Sequence, residues 1–326
     1  MRRMSSSTDS QSAQNARYAQ DTQDVQDSRL SCTLGSLTLK NPLIAASGTY
    51  AFGEAYRSVL DPGIWGAITL KSVTPEPRPG NPGQRIRECH GGLLNSIGLA
   101  NPGLDEFEKD IIPLLGDLDT VVIASLAGSV SSDYTKLAAR LNQYTVINAY
   151  ELNLSCPNVR EGGLAFGADP TKIEALVGQV RHATSKPLLV KLTPNVTSIA
   201  DTVRAAEAGG ADVIVMCNTF LCMDIDLNTG RPVFENTYAG FSGPPVFPLA
   251  LRCVHQTAAA TKLPVIGMGG VSTLEDVQKM ILAGASAVGL GTLNFTRPDA
   301  PVELCAGLDQ WVANKGAANI QDLRSN

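Results

Sequence analysis

The chain has 326 residues, of which 44% are apolar and 17% charged, and a net charge of −5. This is the composition of a globular protein with a large core. No basic block appears among the 26 basic and 31 acidic residues, which argues against a nucleic-acid or anionic-membrane partner. No run of roughly 18 or more apolar residues occurs, so no transmembrane helix is expected.

Residues 1–28, MRRMSSSTDSQSAQNARYAQDTQDVQDS, are rich in Ser, Gln and Asp and nearly lack large aliphatics. They are expected to be disordered, because they bury too little apolar surface to offset ordering entropy. They also lack the apolar centre of a secretory signal. Residues 29–326 read as one domain. LSCTLGSLTLKN (30–41) predicts a hairpin turning at Gly35-Ser36. Eight apolar runs follow: NPLIAAS, GAITLKS, VVIASLA, YELNLSC, PLLVKLT, DVIVMCNT, PVIGMGG and SAVGLGT. Each is continuous rather than alternating, as in strands buried on both faces of a parallel sheet. Helical patterns occupy 101–115, 131–143, 170–184, 198–209, 246–260, 273–284 and 299–313, several opening on Ser or Thr suited to N-caps.

This α/β alternation predicts a closed (β/α)8 TIM barrel with the hairpin closing its bottom. A doubly wound sheet is the alternative, but both G-x-G-x-x-G and G-x-x-x-x-G-K-[ST] are absent. The stretch 73–100 shows no helical pattern and is rich in Pro and Gly. A loop of that length is more often functional than idle.

In such a barrel, chemistry gathers at the C-terminal strand ends. Those ends carry Ser47-Gly48-Thr49, Lys71-Ser72, Ser125, Asn153 to Asn158, Lys191, Asn218-Thr219, Gly269-Gly270 and Gly291-Thr292. Lys71 and Lys191 lie in apolar strands, where an ammonium needs an anionic partner. That partner is either a protein carboxylate or an anionic ligand. The C-terminal ends of the runs supply no carboxylate, which favours the ligand. Asn95, Asn153, Asn158 and Asn218 offer both donors and acceptors, suited to a ring edged with C=O and N–H groups. The glycines ending the last two runs suit phosphate binding by backbone N–H groups.

The seven cysteines are odd in number and scattered, with no C-x-x-C, and the three histidines lie far apart. No disulfide framework or metal site is expected, and a reducing, cytoplasmic compartment is. Cys32, Cys253 and Cys305 read as packing residues, Cys89 and Cys222 as loop residues. Cys156, at the lip of the fourth run, reads as packing or as a reactive thiol.

Taken together, ASGTYAFG (46–53), ITLKSVTPEPR (68–78), LLNSIGLANPG (93–103), ELNLSCPNV (151–159), VKLTPNV (190–196), CNTF (217–220), GFSGPP (240–245), GMGGV (267–271) and GLGT (289–292) resemble the dihydroorotate dehydrogenase family. The likeness leans to catalytic subunits of its NAD-linked, two-subunit class (class 1B). It spans about residues 29 to 310. The resemblance implies an FMN-dependent barrel that oxidises (S)-dihydroorotate to orotate in pyrimidine synthesis. The family's base falls on Cys156. Its flavin contacts fall on Ser47, Lys71, Ser72, Asn153, Lys191, Cys217, Gly243, Gly269, Gly270, Gly291 and Thr292. Its substrate contacts fall on Lys71, Asn95, Ser96, Ile97, Gly98, Leu99, Asn153, Asn158, Asn218 and Thr219.

Ser125 departs from the family, which commonly has Asn there; it is carried as a further flavin contact. Lys191 would stabilise negative charge on the flavin, and 157–163 would form a lid carrying the base. This chain has neither a dinucleotide fingerprint nor a cysteine set for an iron–sulfur cluster. Electron transfer to NAD then implies a second polypeptide with FAD and [2Fe–2S], in a complex of two catalytic and two electron-transfer subunits. A homodimeric, fumarate-reducing dehydrogenase and a non-catalytic FMN-binding barrel are the alternatives.

Overall fold

The computed structural model describes residues 29–53, 56–154 and 166–324. Strands β1 (Cys32–Leu34) and β2 (Leu37–Leu39) form a hairpin with Cys32 opposite Leu39 and Leu34 opposite Leu37. Gly35 turns it at φ 61°, a left-handed conformation that glycine adopts without steric cost.

The barrel strands are β3 (Leu43–Ala45), β4 (Ala67–Thr69), β7 (Val121–Leu126), β8 (Ala149–Asn153), β9 (Leu188–Leu192), β10 (Val213–Met216), β15 (Val265–Met268) and β16 (Ala287–Leu290). The intervening numbers belong to short strands outside the barrel. These are β5 (Ile86–Cys89), β6 (Gly92–Asn95), β11 (Phe220–Met223), β12 (Ile225–Asp226), β13 (Arg231–Pro232) and β14 (Tyr238–Ser242). The eight barrel strands pair in chain order, and β16 returns to β3 in parallel, with Gly289 opposite Ile44. The result is the closed (β/α)8 barrel that the eight apolar runs predict.

Helices Ser131–Leu141, Pro170–Ala183, Ile199–Ala208, Phe247–Ala260, Leu274–Leu282 and Ala300–Asn314 fill the expected intervals. The Thr273 hydroxyl accepts from the Asp276 N–H while the Asp276 carboxylate accepts from the Thr273 N–H, a reciprocal capping box. At residue 131 the cap is not a serine: the Asp133 carboxylate accepts from the N–H groups of Ser129 and Val130. The pattern over 101–115 resolves into an α turn (Leu104–Glu106), a π turn (Phe107–Ile111) and a 3-10 turn (Ile112–Leu115). Pro113 lies in the last, where a missing N–H precludes a regular α-helical ladder.

The core has two layers, because barrel strands alternate their side chains between lumen and helices. Outward residues such as Ile68, Val122, Tyr150, Leu152, Val190 and Ile214 pack in the helical layer. Inward, Ile44, Ala67, Ile123, Ala149, Leu189, Val213, Ile266 and Ala287 meet hairpin residues Cys32, Leu34, Leu37 and Leu39, which plug the bottom. Moving up the lumen, the inward positions turn polar within two residues. Ile123 is succeeded by Ser125, Ala149 by Glu151 and then Asn153, and Leu189 by Lys191.

The region 73–100 is not a loop throughout. Strands β5 and β6 join β11 and β14 in a four-stranded antiparallel sheet ordered β11-β14-β6-β5. Cys89 and Cys222, expected in loops, lie in its strands β5 and β11, packed on Leu94, Phe234 and Ala239. Cys32, Cys253 and Cys305 are buried and packed. Among the described residues no helix is long and apolar enough to cross a membrane.

Leu34 is fully buried in the plug. Leu34→Ala is expected to cost about 3 kcal/mol of stability, the middle of the range for a buried leucine, read from the denaturant midpoint. A loss under about 1 kcal/mol would mean that the hairpin does not seal the lumen.

Candidate active site

Above the polar layer the lumen opens into a cavity of about 1300 Å³ at the C-terminal ends of the strands. This exceeds the roughly 300–1,000 Å³ of a single-ligand pocket. The antiparallel sheet forms one side. In it Asn95 stands opposite both Ile86 and Gly240, and its amide donates to the Gly240 carbonyl at 3.1 Å.

Eighteen of the flavin and substrate contacts that the resemblance implies line this one cavity. Ser47 follows β3, and Lys71 and Ser72 follow β4. Asn95 ends β6 and leads into Ser96, Ile97, Gly98 and Leu99. Asn153 ends β8, and Lys191 lies in β9. Cys217, Asn218 and Thr219 follow β10, and Gly243 follows β14. Gly269 and Gly270 follow β15, and Gly291 and Thr292 follow β16. Cys156, Asn158 and the proposed lid at 157–163 lie outside the described residues.

Ser125 does not line the cavity. It is fully buried one layer below, with its hydroxyl 2.8 Å from Ser72 Oγ and 3.0 Å from Glu151 Oε1. Expected as a flavin contact, it lies outside the cavity lining and links Ser72 to Glu151.

The reading of Lys191 also changes. Its ammonium stands 4.0 Å from Glu151 Oε2, and Lys191 and Glu151 are only 6% and 1% exposed. Lys191 also reaches Ser47 Oγ at 3.5 Å. A protein carboxylate is therefore present, two residues below the strand end at Asn153. Inspection of strand ends alone passes over it; the inward alternation 149, 151, 153 would have found it. Lys71 differs, because burial alone accounts for its depressed pKa and no carboxylate among the described residues pairs with it.

The network continues upward. Asn153 Nδ2 donates to Ser72 Oγ at 3.2 Å, and Asn218 Nδ2 donates to Asn153 Oδ1 at 3.3 Å. Asn195 was not singled out in the sequence. Its amide donates to the Thr219 carbonyl at 3.0 Å and its oxygen accepts from Leu221 N–H at 2.9 Å, fixing the chain after β10. Thr292 donates to Ser242 Oγ at 3.0 Å, tying the β16 end to the sheet. The Cys217 thiol is pushed up by its contact with Cys253 and by burial, against the opposing pull of Lys191. It is a packed, protonated side chain.

Gly269 and Gly270 sit at φ 121° and 75°. A Cβ on Gly269 would lie 2.7 Å from Ala250 Cβ, and one on Gly270 2.5 Å from Phe247 N. Around Gly291 a Cβ would meet nothing within 4 Å. Gly269 and Gly270 thus allow close packing against the helix Phe247–Ala260, whereas Gly291 borders open space. Among the described residues no three His, Cys, Asp or Glu side chains converge as a metal site.

The family model for dihydroorotate dehydrogenase matches residues 29–312. A protein of Listeria monocytogenes (serovar 1/2a) is 44% identical over 297 residues, covering 91% of this chain and 98% of its own. One of Trichlorobacter lovleyi is 45% identical over 294 residues, covering 90% and 97%. One of Desulforudis audaxviator is 44% identical over 295 residues, covering 90% and 96%. All three are named dihydroorotate dehydrogenase B (NAD(+)), catalytic subunit. These matches establish that the chain is an oxidoreductase belonging to the dihydroorotate dehydrogenase family.

Proposed function

We propose that this chain oxidises (S)-dihydroorotate to orotate in de novo pyrimidine biosynthesis, using FMN held in the cavity. The observation that carries this reading is the convergence of Lys71, Lys191, Asn95, Asn153 and Asn218 with the glycine wall around one space of about 1300 Å³. That space is large enough for a cofactor and a small substrate together.

The residues present fit the cofactor. Gly269, Gly270, Gly291 and Thr292 form a side-chain-poor wall suited to a phosphate held by backbone N–H groups. Ser47, Ser72, Asn153, Lys191 and the backbone at Cys217 and Gly243 would hold the rest. When bound, FMN supplies the acceptor for the hydride from C6. Asn95 to Leu99, Asn158, Asn218 and Thr219 orient the substrate ring, and Lys71 meets its negative charge. Cys156, three residues beyond the end of β8, takes the C5 proton as a thiolate.

NAD is the final acceptor, reached through a separate subunit carrying FAD and a [2Fe–2S] centre, in a complex of two catalytic and two electron-transfer subunits. The relatives named as catalytic subunits support this. So does an apolar surface: Leu221, Met223, Leu227 and Tyr238 stand exposed on and beside the antiparallel sheet, as at protein-interaction sites. The compartment is the cytoplasm.

Anaerobic mixing of the purified chain with dihydroorotate tests the reaction. Bleaching of a bound flavin is expected, and a colourless chain or an unbleached flavin refutes it. NAD reduction is expected only with the partner subunit, whereas fumarate reduction by the lone chain would place it in the homodimeric class.

Cys156→Ala is expected to slow flavin reduction by roughly 10²–10⁴-fold, the usual contribution of a general base, with FMN still bound. In the unaltered chain the rate should climb with pH toward the thiol pKa, near ~8.5 for a free cysteine. A pH-independent reductive step, or a fully active alanine variant, eliminates the thiol as base.

Burial lowers the pKa of Lys71, so its positive charge is lost at lower pH than that of a free lysine, about 10.4. The KM for dihydroorotate should accordingly rise on the alkaline side below pH ~10. A KM that stays flat through that range would separate Lys71 from substrate binding.

A further inference from the structure

We infer that Glu151 is a positioning residue for the cavity floor: its carboxylate compensates the charge of Lys191 and fixes the direction of the hydrogen-bond chain leading to Ser72 and Asn153. The inference rests on the flavin reading above.

The two carboxylate oxygens divide the work. Oε2 faces the Lys191 ammonium at 4.0 Å and Oε1 accepts from the Ser125 hydroxyl at 3.0 Å. An ionised carboxylate only accepts, and a hydroxyl has one proton to give. Ser125 spends that proton on Glu151, so in its 2.8 Å contact with Ser72 the donor is Ser72. Ser72 in turn accepts from Asn153 Nδ2 at 3.2 Å, and Asn153 Oδ1 accepts from Asn218 at 3.3 Å. The four bonds linking Asn218, Asn153, Ser72, Ser125 and Glu151 therefore all donate toward Glu151. Ser72 has no proton left for the cavity and presents only lone pairs, so it serves a ligand N–H rather than a ligand carbonyl.

Charge follows the same geometry. Glu151, Ser125 and Ser47 are 1%, 0% and 4% exposed, so little water screens the pair. Lys191 and Glu151 together present no net charge beneath the ligand. The groups facing Lys191 are Glu151 from β8 and the Cys217 thiol from β10, with Lys71 lining the same cavity.

The test is the midpoint potential of the bound flavin in Glu151→Gln, titrated with reference dyes at pH 6.5 and pH 9. The amide removes the negative charge with little change of shape. At pH 6.5 the unmasked Lys191 should favour the reduced flavin about tenfold, which is ~30 mV upward for a two-electron couple. At pH 9 the shift should keep the same upward sign. A purely structural Glu151 would lower thermal stability and leave the potential alone.

The double variant Glu151→Gln with Lys191→Met guards against a single variant that fails to fold, since removing both members of a buried pair leaves no orphaned charge. The upward shift seen in Glu151→Gln should be abolished when Lys191 is also removed. A shift of ~30 mV that persists without Lys191 would show that it does not come from the unmasked ammonium and overturn the inference. So would a Glu151→Gln potential equal to wild type at both pH values. If flavin is present and bleached by dihydroorotate while the potential does not move, only the role of Glu151 fails. A chain without flavin refutes the proposed function and this inference together.

Discussion

An ammonium and a carboxylate are buried together in the lumen of this barrel, and most of the site is arranged around them. Neither group would be stable there alone. Removing one partner of a buried pair typically costs 3–5 kcal/mol because the other is left uncompensated. The parallel β8–β9 pairing brings them together, because residue 151 and residue 191 both point inward on adjacent strands. The layer they occupy divides the lumen. Below it, apolar side chains meet the plugging hairpin; above it, amides, hydroxyls and glycines face the cavity. The same strands therefore supply a dry foundation and a polar floor, with the transition made in two residues.

The two lysines at this floor are not equivalent. Lys191 is held by Glu151 and Ser47, so its long-range field is largely cancelled and its role is local and directional. Lys71 has no carboxylate partner among the described residues, and burial already disfavours its charged form. An anion that enters the cavity relieves that penalty at Lys71 and gains comparatively little at Lys191. The positive charge without a carboxylate partner among the described residues therefore sits on the β4 side of the mouth.

Much of the architecture was legible because the barrel strands are buried on both faces. GAITLKS and DVIVMCNT read as continuous apolar runs for that reason, and their spacing defines the helices between them. What escaped was of two kinds. The antiparallel sheet joins Asn95 to Gly240, which are 145 residues apart; a strand of four residues paired at that range leaves no local periodicity, and its Pro- and Gly-rich flanks read as loop. Glu151 escaped because it lies in the middle of ELNLSC, not at its end. In a continuous run the alternation that marks an inward residue is hidden by apolar neighbours on both sides, and only the known closure of the barrel tells which parity faces the lumen.

Ser125 shows how a single side-chain length changes a site. The family resemblance suggests an amide at this position, with more reach and two donors. The hydroxyl found here spans only the gap between Ser72 and Glu151, with 2.8 Å on one side and 3.0 Å on the other. A group with one proton cannot serve a ligand and a buried carboxylate at once. Because the carboxylate cannot give a proton back, the demand passes up through Ser72 to Asn153. The direction of the hydrogen bonds at the cavity floor is thus set below its surface, by Ser125 and Glu151, which do not line the cavity.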